Sequence, residues 1–196
     1  MTRPRMPLRP ALEVLRAHRR PGDVVIPSMG TAREWMAMGP LDPLDFVYVP
    51  SAMGEAPALG LGIALAQPAR RVIACNGDGS MLMNLGSFVT LAAADARNLV
   101  LIVFDNGVYE VTGAQPVPGA AAGVDFATIA QASGMRAVHH FSSIDAWREG
   151  AATALGSPGP VCIVLDVAPV PGAIGPRSPG PTAVRGPEFM RALAAR

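Results

Sequence analysis

The chain has 196 residues, half of them hydrophobic and 16% charged, with a formal net charge of +1. That length suffices for one compact domain with its own core, while the near-neutral balance and 5% aromatic content exclude the basic footprint and stacking platforms of a nucleic-acid binder. All 16 basic residues are arginine, which excludes a Walker P-loop and Schiff-base chemistry, since both need a lysine.

The first residues, MTRPRMPLRP, are basic but precede no apolar run, which predicts no secretion signal. No apolar stretch reaches the length of a membrane span, and a cytoplasmic location is expected. Residues 7–20 predict a helix, with Pro7 and Pro10 near its start, Leu8, Leu12 and Leu15 at helical spacing, and its arginines on a solvated face. DVVIP at 23–27 predicts a short strand, followed by SMGT and a helix through Trp35. FVYV at 46–49 predicts another strand, and SAMG then leads into a Gly- and Ala-rich helix at about 56–66.

RVIACN at 71–76 predicts a strand, GDGS a turn, residues 81–95 a helix, and NLVLIVFDN at 98–106 a second strand. This is a βαβ unit, so the two strands should run parallel with a right-handed crossover. Residues 113–124 predict a mobile loop, followed by a helix at about 125–133, a short strand near Arg136–Val138, a helix at about 143–155 and a strand at 161–167. Residues 168–187, half of them Gly or Pro, predict an extended irregular arm before a short helix over PEFMRALAA. Such alternation predicts an α/β fold in a single domain over 1–196: a three-layer, open, mostly parallel sheet with helices on both faces.

Several residues fit structural roles. Cys75 and Cys162 lie in apolar strand-like runs, and the lack of C-x-x-C excludes a zinc ribbon or an iron–sulfur site. Trp35 and Trp147 fit core positions. His139 and His140 follow a predicted strand far from the polar motifs and fit an edge or surface position. Ser28 and Ser80 have no neighbouring His, so no hydrolase triad is indicated.

Ligands of open parallel sheets sit beyond the carboxyl ends of the strands. Here one strand runs into Gly77-Asp78-Gly79-Ser80 and its neighbour into Asp105-Asn106-Gly107, so Asp78 and Asn106 should face one small volume. Mg²⁺ takes oxygen ligands, one or two from protein and the rest from phosphates and water. Asp78 offers a carboxylate, Asn106 an amide oxygen, and the backbone after Asn106, at Val108, a carbonyl. Glycines beside Asp78 permit close approach of a ligand, and N–H groups of the helix beginning near Ser80 favour a diphosphate. A GDG triplet alone is a common turn, but 25 residues between Gly79 and Asp105 match one helix plus one strand.

GDGSMLMNLGSFVTLAAADARNLVLIVFDNG resembles the signature of thiamine-diphosphate enzymes: GDG, a spacer of this length, and an Asn-bearing turn. SAMGEAPALGLGIALA, GDGSMLMNLG and DNGVYEVTGAQ resemble the cofactor-binding part of sulfopyruvate and phosphonopyruvate decarboxylases, from about residue 23 to 167. The resemblance implies that Asp78, Asn106 and the Val108 carbonyl bind Mg²⁺, and that Gly77, Gly79, Ser80 and the loop Ser28-Met29-Gly30 hold the diphosphate. It implies Met53 as the wedge beneath the thiazolium, Ser51 and Ala52 along the aminopyrimidine, and Tyr109 and Glu110 over the diphosphate edge. Two departures stand out: the family's TGGQ is Thr112-Gly113-Ala114-Gln115 here, and Glu55 follows the SAMG turn, where it could face substrate as an acid or base or form a partner-facing salt bridge.

The resemblance further implies a coenzyme that acts as electron sink for loss of CO₂ from a small 2-oxo acid, giving an aldehyde or, by attack on a second carbonyl, an acyloin. The Glu that activates the aminopyrimidine lies on a second domain in such enzymes. The expected partner is therefore a pyrimidine-binding, α-type subunit in an α₂β₂ or higher heteromer, with the chain inactive alone. Other readings are a carboligating subunit or a non-catalytic scaffold that kept the fold. An iron–sulfur-linked oxidoreductase lacks its cysteines, and a nucleotide-binding Rossmann protein lacks its G-x-G-x-x-G.

Overall fold

The computed structural model describes residues 5–120 and 123–195. In chain order these form α1 (Leu8–Ala17), β1 (Val24–Pro27), α2 (Met29–Ala37), α3 (Ala56–Ala66), β2 (Val72–Gly77), α4 (Asp78–Met83), α5 (Ser87–Ala94) and β3 (Leu99–Asp105). A small hairpin of β4 (Val108–Tyr109) and β5 (Gln115–Pro116) follows, enclosing a 3₁₀ turn at Glu110–Thr112. Then come α6 (Phe126–Ala132), β6 (Ala137–Phe141), α7 (Ile144–Gly156), β7 (Val161–Asp166) and α8 (Thr182–Ala194).

Five strands make one parallel sheet in the order β1-β2-β3-β7-β6. Strand residues alternate between faces, and both faces are apolar. Val25, Ile73, Cys75, Ile102 and Ile163 pack against α1, Trp35 of α2 and Trp147 of α7. Val24, Val72, Ala74, Leu101 and Val164 pack against α3, α5, α6 and α8. The strands therefore read as continuous hydrophobic runs because both sides are covered. Trp147 is fully buried, and its indole N–H donates to the Ala11 carbonyl at 3.0 Å, joining α7 to α1. Among the described residues no helix is long and apolar enough to cross a membrane.

The structure departs from the sequence expectations in six places. FVYV at 46–49 is not a strand but a companion to β1, with single bridges at Val25–Asp45 and Ser28–Tyr48. The Val25 N–H reaches the Leu44 carbonyl, and the Phe46 and Tyr48 N–H groups reach the Val25 and Pro27 carbonyls. Pro27 has no N–H to donate, so the ladder cannot close. GDGS is not a free turn, because α4 starts at Asp78, and the single helix expected over 81–95 is broken at Asn84 into α4 and α5. The strand near 136–138 extends to Phe141 and contains His139 and His140.

The expected 113–124 loop contains β5, while its residues 121 and 122 lie outside those described. Finally, the arm ends early: α8 begins at Thr182 and carries Pro187 inside it.

Candidate functional site

The carboxyl ends of β1, β2 and β3 open into a shallow, partly open cleft. Its lining includes Ser28, Met29, Gly30, Met53, Gly77, Asp78, Gly79, Ser80, Asn106, Val108, Tyr109 and Glu110. Ser51 and Ala52 are not part of the lining; the Ala52 N–H donates to the Tyr48 hydroxyl at 3.2 Å. Leu8, Thr31, Phe104, Val111, Thr112 and Val167 also line the cleft, and the sequence assigned none of them to a site. Leu8 and Val167 read there as ordinary helix and strand core; only the topology brings the start of α1 and the end of β7 to the cleft.

Asp78 is the centre of the site, 2% exposed at the first position of α4. Its Oδ2 accepts the Gly107 N–H at 2.7 Å, so the β2 and β3 ends are joined through it. Burial, and then the adjacent Asp105 carboxylate, push Asp78 up to about 7, against the pull of the Gly79 and Gly107 N–H groups. Two carboxylates this close, one of them buried, repel each other unless a proton or a cation intervenes.

Asn106 is fixed from both ends. Its Oδ1 accepts the Val108 N–H at 2.9 Å, and its Nδ2 donates to Glu110 Oε2 at 3.2 Å. Val108 faces Pro116 in the hairpin, and the bond to β5 runs from the Val117 N–H to the Gly107 carbonyl at 3.1 Å. Val108 therefore occupies a non-hydrogen-bonded pair, where N–H and carbonyl both point away from the facing strand. Its N–H goes to Asn106, and its carbonyl leaves the ladder on the same side.

The glycines divide their work. A Cβ at Gly77 would meet nothing within 4 Å, so this position leaves open space in the cleft; a Cβ at Gly79 would collide with the Tyr109 ring. Gly79 is thus required by tyrosine packing, not only by an incoming ligand. The Ser80 hydroxyl accepts the Gly54 N–H at 2.7 Å and keeps its own proton to donate. Asn84, at the break between α4 and α5, donates to the Gly54 carbonyl at 3.4 Å and to Glu55 Oε1 at 3.2 Å. These contacts hold the turn that carries Met53, which is 39% exposed at the lip of the cleft.

Ser28 is buried, its hydroxyl donating to the Cys75 carbonyl at 2.8 Å, and Met29 adopts a left-handed backbone with φ 48°. That conformation is costly for a side chain of this size and marks the loop as constrained.

Other candidates stand apart from the cleft. His139 and His140 lie on the edge strand β6; His140 pairs with Asp166 at 2.9 Å and His139 with the Ser157 hydroxyl at 3.2 Å. Burial pushes the Cys75 thiol up and the Cys162 thiol up to about 12, so neither is poised as a nucleophile. Among the described residues no three His, Cys, Asp or Glu side chains converge as a metal cage. One carboxylate, one amide oxygen and one carbonyl, with room for phosphates and water, are a donor set suited to Mg²⁺.

Residues 28–165 match the family of the thiamine pyrophosphate enzyme, C-terminal TPP binding domain. A phosphonopyruvate decarboxylase from Streptomyces hygroscopicus is 42% identical over 160 residues, which cover 81% of this chain and 39% of that protein. The sulfopyruvate decarboxylase subunit beta of Methanothermobacter thermautotrophicus is 37% identical over 122 residues, 62% of either chain. A solved structure from Mycobacterium smegmatis, assigned as a thiamin diphosphate-dependent enzyme, superposes with a TM-score of 0.70 at 28% identity, covering 84% of this chain and 32% of that one. The chain thus spans 39% of the length of the phosphonopyruvate decarboxylase it matches.

Proposed function

Because this chain belongs to the thiamine pyrophosphate enzyme family, as its C-terminal TPP-binding domain, we propose that it is the diphosphate-binding half of a two-body enzyme that decarboxylates a small 2-oxo acid. The observation that carries the reading is the junction of Asp78 and Asn106 across the β2 and β3 ends, with the Asp78 carboxylate buried beside Asp105. A divalent cation placed there relieves that repulsion and brings a diphosphate with it.

In this proposal Asp78, Asn106 and the Val108 carbonyl hold Mg²⁺. The Ser80 hydroxyl and the Ser28-Met29-Gly30 loop hold diphosphate oxygens, and Gly77 leaves space for them. Met53 supports the ring system from the lip of the cleft, its unbranched side chain filling an irregular gap. When bound, thiamine diphosphate supplies the electron sink for loss of the carboxylate. Met53, Tyr109 and Val111 give the reacting region apolar walls that limit water, which strengthens the electrostatic interactions inside.

Among the described residues lining the cleft, the carboxylates are Asp78 and Glu110. Both are engaged, Asp78 with Gly107 and Glu110 with Arg33 and Asn106. Neither is available to activate an aminopyrimidine, so that carboxylate is proposed to come from a second, pyrimidine-binding body of α type, in an α₂β₂ or larger assembly. One uncharged surface supports such a neighbour. Ala58, Gly62, Leu65 and Ala66 on α3, with Met83, Leu85, Gly86, Val89, Thr90 and Ala93 along α4 and α5, are exposed and carry no charge. An exposed apolar patch of this kind is a mark of an interaction site. The sulfopyruvate and phosphonopyruvate decarboxylase relatives favour a small anionic 2-oxo acid as substrate.

The test is co-expression with a candidate pyrimidine-binding chain, calorimetry with Mg²⁺ and thiamine diphosphate, and a 2-oxo acid panel that follows CO₂ and product. Magnesium-assisted cofactor uptake and aldehyde release are expected from the pair, and no turnover from the chain by itself. An acyloin product would assign the carboligating alternative, uptake without turnover would assign a scaffold, and absence of uptake would overturn the reading.

A further inference from the structure

We propose that Glu110 is a positioning residue that sets the orientation of the Asn106 amide for the cation and ties the cation site to the arm that follows β7. This rests on the cation–diphosphate reading above and assigns Glu110 a task other than direct contact with the diphosphate.

Glu110 opens the 3₁₀ turn after β4 and is 8% exposed. Its Oε1 accepts from Arg33 Nη2 at 2.8 Å. Its Oε2 accepts both Asn106 Nδ2 at 3.2 Å and the Val170 N–H at 2.9 Å. An ionised carboxylate only accepts hydrogen bonds, so the group of Asn106 that faces Glu110 must be the nitrogen. From the other side the Val108 N–H, which only donates, requires the amide oxygen at 2.9 Å. A flipped amide would set oxygen against carboxylate and NH₂ against N–H. The two partners therefore hold Oδ1 toward the Val108 N–H and away from Glu110, with a second lone pair left for a cation.

The same carboxylate holds the arm. Val170 bonds directly to Glu110, and Arg33, paired with Glu110, donates through Nη1 to the Ile174 carbonyl at 3.3 Å. Gly175 lies so close to the 3₁₀ turn that a Cβ there would stand 2.9 Å from Val111 Cγ1. A cation that draws on Asn106 Oδ1 thus steadies its nitrogen against Glu110, and Glu110 in turn steadies Val170. Cation occupancy and arm order become linked, and linkage of this kind acts equally in both directions.

The wild-type chain is compared with Glu110→Ala and with the double variant Arg33→Met/Glu110→Met. The double variant removes both charges of the Arg33–Glu110 pair together and leaves no unpaired guanidinium, a replacement that buried pairs often tolerate. Glu34, which pairs with Arg33 at 3.0 Å, loses that partner, so wild type with Glu34→Gln is the matching control. Two quantities are measured: the Mg²⁺ needed for half-saturation with thiamine diphosphate, by calorimetry, and the rate of trypsin cleavage after Arg177 in the arm. In wild type, Mg²⁺ with thiamine diphosphate is expected to slow cleavage after Arg177.

The double variant is expected to melt close to wild type but to need roughly tenfold or more Mg²⁺, in the range seen when a metal ligand loses its outer partner. Its uptake should be complete at high Mg²⁺, and its arm cleavage should no longer respond to the cofactor. A natively folded double variant with the wild-type magnesium requirement, or with cofactor-protected cleavage, would overturn the proposal. A wild-type chain that takes up no cofactor at any Mg²⁺ concentration defeats the underlying site reading instead, before any variant is made.

Discussion

Asp78 must be an anion to hold a cation, yet burial and Asp105 make that anion costly in the folded chain. Its folded pKa of about 7 lies above the 3.8 of an unfolded carboxyl. Between those values the folded state binds a proton that the unfolded state does not, so stability without cation falls as pH rises through that window. Asp78→Asn, which does not titrate, is expected to melt above wild type at about pH 8, with the gap narrowing toward about pH 4; thermal scans of the cofactor-free proteins check this. In the same variant series, Asp78→Ala should weaken magnesium-dependent cofactor uptake by more than about 100-fold if Asp78 is the proposed ligand and not merely a ligand's support. Calorimetry reads that loss.

Ala114 offers a different test: it stands at φ 58° where the resembling family carries glycine. A left-handed backbone costs a Cβ-bearing residue about 1–2 kcal/mol, so Ala114→Gly is expected to stabilise the chain by about 0.5–1 kcal/mol in urea unfolding, after the glycine entropy is offset. Asp78 and Asn106 were legible in the sequence because strand ends fix them directly. The Glu110 network was not, because Arg33 and Val170 lie 77 and 60 residues away and no spacing rule connects them. Gly79 was legible as a required glycine, but not the tyrosine ring that requires it.

Elements whose pattern agrees with both local propensity and burial were legible almost to the residue: α3 at Ala56–Ala66, β3 at Leu99–Asp105 and β7 at Val161–Asp166. Those that failed did so where one residue overrides a pattern. Pro27, on the neighbouring strand, denies FVYV its ladder, which no inspection of 46–49 alone can reveal. Asn84 interrupts what periodicity reads as one helix, its backbone at φ −145° and ψ 58° and its side chain turned to Gly54 and Glu55.

That break has a use, since it brings a polar anchor to the Met53 turn. A Cβ at Gly54 would lie 2.8 Å from Asn84 Cβ, so the two segments are in close register. Asn84→Ala is expected to cost about 1 kcal/mol in stability, the worth of ordinary hydrogen bonds, and, in the proposed two-body enzyme, to lower turnover more than it changes diphosphate affinity. Equal losses of kcat and cofactor affinity would place Met53 outside the ring-supporting role.

Across the whole molecule, polar groups concentrate at the carboxyl ends of β1, β2 and β3, whereas α3 to α5 turn an uncharged surface outward. Leu65 is 59% exposed and Val89 58%. Neither contributes to the cores, so Leu65→Glu with Val89→Glu should leave the circular dichroism spectrum unchanged. If this surface carries the pyrimidine-binding body, the double variant should also fail to co-purify with it; retention of the complex would move the interface elsewhere.

Arg185 of α8 donates to the Val47 and Val49 carbonyls at 2.8 and 2.9 Å, from 138 and 136 residues away, and its guanidinium covers the Phe46 ring. Those carbonyls belong to the run that leads into the Met53 turn. On the ribosome, where synthesis proceeds from the amino end, the strands and the proposed cation ligands are thus made before the stitch that steadies this edge. A nascent polypeptide would have the floor of the cleft before the rim that Arg185 steadies.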